Sequence, residues 1–330
     1  MVKTPLPRMG LGMAALGRPG YINLDRASIF GSNARSIETM QSAANRVMDT
    51  LFEASEYPWL DCARSYGLSE KFVGEYLRAH KVSPGSVYVS SKWGYTYVAD
   101  WKVSLESPDA KHEIKDHSTE NFLKQVQESN EHLGEYIDLY QIHSATFDSG
   151  ILDDSRAHDA LAACRKERGW KLGLSVSGPD QDEIIRAARK ISAQSDEDGK
   201  QLFDSVQCTF NLLEQKPRAA LQEAAKAGMD IIIKEGLANG RALRHPAVKQ
   251  YAEQLECEAD ALALGFVLAQ DFAPRVLSGA VTSEQLLSNL RAMDVAEKLK
   301  DNPKLLAEIG EACAVKSEDY WAERAALAWN

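Results

Sequence analysis

A short apolar run, a polar turn, then a longer stretch with apolar residues three and four apart: this unit recurs along almost the whole of a 330-residue chain. A hydrophobic period of two giving way repeatedly to one of 3.6 marks strands alternating with amphipathic helices. Met9–Leu16, Tyr57–Asp61, Val87–Lys92, Tyr136–Ile142, Leu172–Val176, Ser205–Phe210, Asp230–Lys234 and Arg275–Ser278 read as strands. Ile37–Phe52 reads as a helix because Ile37, Met40, Ala44, Val47, Met48 and Leu51 share one face. Ser69–Arg78, Ser118–Leu133, Arg156–Arg168, Asp180–Ile191, Arg218–Ala227, Cys257–Asp271 and Ser283–Met293 continue the helical series, and Thr282 with Gln285 forms a capping-box signature before the last.

That many strands with helices between them suit a closed (β/α)8 TIM barrel, and a doubly wound sheet with fewer strands is the alternative. Barrels of this kind routinely exceed 250 residues as one core, so residues 1–330 are expected to form a single domain. Two segments break the rhythm. Gly94–Ser118 is a long connection carrying Tyr95, Tyr97, Trp101, His112 and His117, and the tail after Met293 is charged and helical in character with no strand to follow. Connections as long as the first are functional lids or surface excursions.

Composition narrows the function. A formal net charge of -10 without any Lys/Arg-rich run speaks against nucleic acid or an anionic membrane as partner, since both need concentrated positive surface. The cysteines Cys62, Cys164, Cys208, Cys257 and Cys313 are odd in number and far apart, which suits reduced thiols rather than a disulfide framework or a zinc site. HxH and HExxH spacings are missing, so no metal centre is expected. No apolar run reaches membrane-spanning length and the first residues lack a signal-peptide core, so the expected location is the cytoplasm.

Active sites of such barrels lie at the C-terminal ends of the strands. Asp61, Lys92 and His143 close three successive strands, and Tyr66 follows in Asp61-Cys62-Ala63-Arg64-Ser65-Tyr66-Gly67. Each residue alone has a structural reading: Asp61 as a cap, Tyr66 as a packed aromatic, His143 as a core histidine. Jointly they suggest chemistry. Buried charges need partners, so Asp61 and Lys92 are expected to pair. An ammonium beside Tyr66 would stabilise the phenolate and bring the phenol below its ordinary value of about 10. His143 could orient a carbonyl oxygen, so that a hydride reaching carbon is matched by a proton reaching oxygen.

With those residues in hand, the chain resembles the aldo-keto reductases from about Pro7 to Ala292. The resemblance implies an NAD(P)H-dependent oxidoreductase reducing an aldehyde or ketone, sugars included, or running in reverse. Asp61, Tyr66, Lys92 and His143 would be the catalytic tetrad with Tyr66 as general acid. Ser175 and Gln207 would contact the nicotinamide carboxamide, and Asn211-Leu212-Leu213-Glu214 matches a segment of bacterial-type members. Gly279, Gln285 and Asn289 would hold the adenosine end, where backbone N–H groups suit a phosphate.

Three departures bear on the cofactor. Val176 follows Ser175 where many members have Asn, and Ile233-Lys234-Glu235-Gly236-Leu237-Ala238-Asn239-Gly240 replaces a segment carrying the aromatic that stacks on the nicotinamide. Lys234 or Glu235 then lines the cofactor, or the two merely pair with each other. Val281-Thr282 stands where many NADPH-using members have Ser-Arg, which removes a bidentate partner for the 2′-phosphate. NADPH is the implied cofactor and NADH the alternative, with a small-molecule carbonyl compound as substrate. Two further readings compete: an aldolase-like lyase forming a Schiff base at Lys92 or Lys234, and a slow cofactor-binding regulatory subunit.

Overall fold

The computed structural model describes residues 5–22, 35–107, 110–195 and 199–329. Eight parallel strands close into a barrel: β1 (Met9–Gly12), β2 (Trp59–Asp61), β3 (Tyr88–Trp93), β6 (Ile137–Ala145), β7 (Lys171–Val176), β8 (Ser205–Thr209), β9 (Asp230–Lys234) and β10 (Arg275–Ser278), with β10 pairing back onto β1 through Met9 beside Val276. The alternative of an open doubly wound sheet is excluded by that closing pair.

Helices connect the strands: α1 (Ile37–Ala54), α2 (Ser69–Ala79), α3 (Thr119–Leu133), α4 (Ser155–Arg168), α5 (Gln181–Ala188), α6 (Arg218–Lys226), and α7 (Pro246–Gln254) with α8 (Ala259–Leu268) between β9 and β10. Polar caps fix where they begin. Ser36 accepts from the Thr39 N–H at the start of α1 and Ser118 from the Asn121 N–H at the start of α3. Met40, Ala44, Val47, Met48 and Leu51 of α1 are buried, while Ile37, expected on the same face, is exposed. After β10 the chain continues as α9 (Ser283–Leu290), α10 (Ala292–Lys300), α11 (Pro303–Cys313) and α12 (Ser317–Ala325), so the tail is mostly helical.

One apolar core lies between strands and helices, and a separate cluster of Trp59, Tyr88, Leu139, Ile232 and Leu277 is drawn from five different strands, as a filled barrel interior requires. The Arg275 guanidinium lies 4.0 Å from the Trp59 ring and pairs with Asp230.

Sequence and structure differ in three places. The first strand stops at Gly12 and Met13–Ala15 winds into a 3-10 turn; Met13 and Leu16 are buried all the same, so the apolar run gave no sign of the change. Helix α7 was not anticipated, because Pro246–Gln254 buries only Val248 and Ala252 and has almost no stripe to read. The excursion Gly94–Ser118 contains strand β4 (Tyr95–Tyr97) paired antiparallel with β5 (Glu113–Lys115); its residues 108 and 109 lie outside the described residues.

Candidate active site

Asp61 ends β2 and Lys92 is the next-to-last residue of β3, so parallel register puts their side chains at one end of the barrel. Both are buried, and the Lys92 Nζ donates to Asp61 Oδ2 and, at 3.0 Å, to the carbonyl of Cys62. The other carboxylate oxygen accepts from Ser90 Oγ at 2.7 Å, Gln207 Nε2 at 3.3 Å and Gln141 Nε2 at 3.5 Å. A buried carboxylate is thus surrounded by donors, as desolvation demands.

Strand β6 runs past Ile142 to Ala145, with a register shift against β7 between Ile142 and Ala145 and Ser144 at φ 51°. A bulge of this kind re-aims a side chain, and here it turns His143 toward Tyr66. Their rings meet edge to face at 5.4 Å, while His143 Nδ1 lies 3.2 Å from Ser65 Oγ. Burial, then the cations Lys92, Lys234 and Arg18, hold the imidazole well below its ordinary value, so His143 is neutral at pH 7 and able to donate one N–H. His117, which burial holds down at about 4, donates to the His143 carbonyl at 2.9 Å.

Tyr66 carries a correction. Lys92 Nζ lies 4.8 Å from the Tyr66 ring centroid, yet the phenol is pushed well above the ordinary value, by burial first and then by the Asp61 carboxylate. Arg18, whose guanidinium lies 5.3 Å from the ring, opposes them. The Lys92 ammonium beside the ring does not outweigh that burial, so the phenol is not brought below its ordinary value as the sequence had suggested.

A cleft of about 380 Å³ opens beside this cluster, lined among others by Asp61, Tyr66, Gln207, Lys234, Gly279, Gln285 and Asn289. Lys92, His143 and Ser175 stand outside its lining. Lys92 is fully buried, and Ser175 Oγ accepts from the Ser144 N–H at 2.8 Å. Gln207 Oε1 is buried with no partner among the described residues, an acceptor awaiting a donor from the cleft. Lys234 Nζ donates to Ser177 Oγ and Thr209 Oγ1, each at 2.8 Å, and burial holds its ammonium down at about 8.

Lys234 lies 3.9 Å from Glu235 as a long ion pair, and the same carboxylate is gripped more closely by Arg324 of α12. Farther along the cleft, Gln285 Oε1 accepts from the Val281 N–H at 2.9 Å and Asn289 bridges Ser278 Oγ and Asp260. The Thr282 side chain caps α9 through the Gln285 N–H, so the capping signature is realised with its return bond one residue earlier than Thr282.

Residues from outside the expected set complete the site. Arg18 bonds the Ser65 carbonyl at 3.0 Å and Glu113 at 2.8 Å, and Trp329 lies over both Arg18 and the excursion, stacking on His112 at 4.0 Å. No helix among the described residues is long and apolar enough to cross a membrane, and these residues hold no group of three or more ligands suited to a metal ion. All five cysteines are free.

The sequence model of the Aldo/keto reductase family matches residues 8–310. Among solved structures, the holo form of an aldo-keto reductase from Bacillus halodurans is 20% identical with a TM-score of 0.65, the match covering 94% of each chain. A glycerol dehydrogenase from Gluconobacter oxydans is 21% identical with a TM-score of 0.61, over 90% of this chain and 93% of that one. At such identity these two speak for the fold alone. No curated protein matches the chain.

Proposed function

The chain belongs to the aldo/keto reductase family and is a carbonyl oxidoreductase; from that premise we propose that it interconverts a small aldehyde or ketone and its alcohol, with Tyr66 exchanging the proton and a nicotinamide dinucleotide in the cleft. The observation that carries this reading is the convergence of Asp61, Tyr66, Lys92 and His143 beside a cleft whose floor holds Gln207. Residues 1–330 would act as one barrel domain, and five free cysteines suit the reducing cytoplasm.

The residues present fit the cofactor. The unpartnered Oε1 of Gln207 matches a carboxamide N–H, the Ser175 hydroxyl keeps a hydrogen to donate, and Lys234, Gly279, Gln285 and Asn289 extend the cleft away from Tyr66. When bound, a reduced nicotinamide supplies the hydride. The protein's part is the proton and the orientation. Neutral His143 donates to the substrate carbonyl oxygen and aims it at Tyr66, whose phenol delivers its proton to that oxygen; in reverse the phenolate takes it back. Buried Asp61 and Lys92 hold the floor rigid, which spares the transition state a reorganisation cost. NADPH is the cofactor the family resemblance implies, and NADH the alternative because Val281 and Thr282 bring no guanidinium to the 2′-phosphate.

Lys234 gives the Schiff-base reading its one specific support, since its amine is within reach of neutrality near pH 8 while Lys92 is locked onto Asp61. Titrating the protein with NADPH and with NADH by tryptophan fluorescence separates the readings. Saturable quenching by either supports the reductase. No binding of both, together with borohydride trapping of a carbonyl compound on Lys234, would replace it with the lyase.

A further inference from the structure

Three cations at the catalytic rim are each matched by a carboxylate. Lys92 donates to Asp61, Arg18 bonds Glu113 at 2.8 Å, and Arg324 Nε reaches both oxygens of Glu235 at 3.0 and 2.9 Å. Lys234 is held differently. Its ammonium donates to two neutral oxygens, Ser177 Oγ and Thr209 Oγ1, each at 2.8 Å. The Glu235 oxygen 3.9 Å away is one that Arg324 Nη2 also takes. Strand register fixes where this ammonium stands. Gln207 lies beside Ile232 and Thr209 beside Lys234, and alternate residues of a strand share a face. Thr209 and Lys234 therefore stand one step nearer the rim than Gln207, on its side of the sheet, and Lys234 and Gln207 line the same cleft. Among the described residues lining that cleft, Lys234 is the one lysine or arginine. At pH 7 its amine, held at about 8, keeps its proton while His143 is neutral, so this end of the cleft carries a positive charge that no carboxylate closely answers.

We propose that Lys234 makes the cleft discriminate between the two redox forms of its dinucleotide. The ammonium, fixed by two hydroxyls beside Gln207, repels the positive charge that a nicotinamide ring acquires when it gives up its hydride. This rests on the cofactor reading above, in which Gln207 takes the carboxamide. The reduced ring is neutral and meets no such repulsion; after it passes a hydride to the carbonyl carbon, and a proton reaches the oxygen, the ring is left with one positive charge. Like charges in one partly buried site, at an effective dielectric of about 20, change a binding constant by about tenfold or more. Glu235 softens the effect without cancelling it, because Arg324 holds that carboxylate more closely. The cleft thus loads the reduced form and lets the oxidised form go. Product release limits the turnover of many enzymes, and a repulsion that arises only after hydride transfer acts on that step.

Calorimetric titration at pH 7 reads the discrimination without any turnover. NADH with NAD+, and NADPH with NADP+, are titrated into the protein, Lys234→Met and Lys234→Arg, with ADP-ribose, which has no nicotinamide, as the reference probe. The protein is expected to bind the reduced member of the pair about tenfold or more tighter than the oxidised one. Lys234→Met should raise affinity for the oxidised form about tenfold and leave the reduced form and ADP-ribose nearly unchanged, and Lys234→Arg should keep the original ratio. A lysine that merely props the strand end would, once removed, weaken both forms and ADP-ribose alike. Equal binding of the two forms by the unmodified protein overturns the proposal with no variant needed, and so does a ratio that Lys234→Met leaves in place; both results leave the reductase reading standing. Failure of the protein to bind either pair removes that reading and the proposal with it.

Discussion

Arg324 on the last helix grips Glu235 at the end of β9, its Nε 3.0 and 2.9 Å from the two carboxylate oxygens, across 89 residues of chain. Glu235 itself has φ 55° and its carbonyl accepts from Asn211 Nδ2 at 2.9 Å. A strand end that lines the cleft is thus held by a residue almost at the C-terminus. Tyr320 of the same helix adds a bond to Asn211 at 3.0 Å, and Arg241 reaches the Tyr320 carbonyl at 3.1 Å.

Removing Arg324 leaves a buried carboxylate without its partner, a loss of about 3 kcal/mol. Arg324→Ala is expected to lower the thermal midpoint, and Glu235→Gln in the same chain to restore part of it. The pair also sets an acid limit. Burial alone would raise the Glu235 carboxyl, but Lys234 and Arg324 overcome it and hold it at about 2, below its unfolded value of about 4.5. The stabilisation is therefore whole above pH ~4.5 and drains away as pH falls toward ~2. Urea midpoints measured from pH 7 down to 3 should fall more steeply for the protein than for Arg324→Ala, and parallel curves would contradict the assignment.

Asp61 and Lys92 depend on each other in the same way, with less water at hand. Asp61→Asn or Lys92→Met alone is expected to cost about 3–5 kcal/mol, and the double variant clearly less than the sum. Chemical denaturation of the four proteins in this cycle measures the coupling. Additive losses would mean that the two charges do not sense one another. Lys92→Met should also lose turnover, because it removes both the ammonium beside the Tyr66 ring and the anchor of Asp61.

Lys234 is the lysine lining the cleft, and burial holds it at about 8 against an unfolded value near 10.5. Its amine is increasingly neutral and nucleophilic as pH rises through 8. Pyridoxal phosphate followed by borohydride should therefore label Lys234 ahead of the surface lysines, the rate climbing between pH 7 and 9, and saturating NADPH or NADH should protect it. Peptide mapping that finds Lys234 unlabelled, or labelled equally with cofactor bound, would remove it from the cofactor's path.

Much of this was legible in the sequence because barrel strands announce themselves. Asp230–Lys234 and Arg275–Ser278 each hold a short apolar centre, Ile231 to Ile233 and Val276 with Leu277, between polar ends, and their bounds match the structure. Asp61, Lys92 and His143 could be located because strand ends converge on one rim, whatever the exact register. What stayed hidden depends on distance along the chain. Arg18 follows a strand by a few residues in a Leu-Gly-Arg-Pro-Gly turn with no periodicity, and its meaning comes from Glu113, 95 residues later. Arg324 lies in a tail whose charge looks like a solvated face until it meets Glu235. The acidity of Tyr66 could not be read either, since it is set first by burial and then by Asp61 and the other charges packed round the ring.

The central claim is that Tyr66 carries the proton in a nicotinamide-dependent carbonyl reduction, and its most direct test is Tyr66→Phe. Oxidation of the reduced cofactor is followed at 340 nm with 4-nitrobenzaldehyde, beside a fluorescence titration of the same variant. Loss of a general acid costs about 10²–10⁴-fold in rate. The expected result is a fall of that size in kcat with cofactor affinity unchanged, because the phenol hydroxyl is needed for the proton and not for the dinucleotide. A variant that binds cofactor and still reduces the aldehyde at the unmodified rate would contradict it.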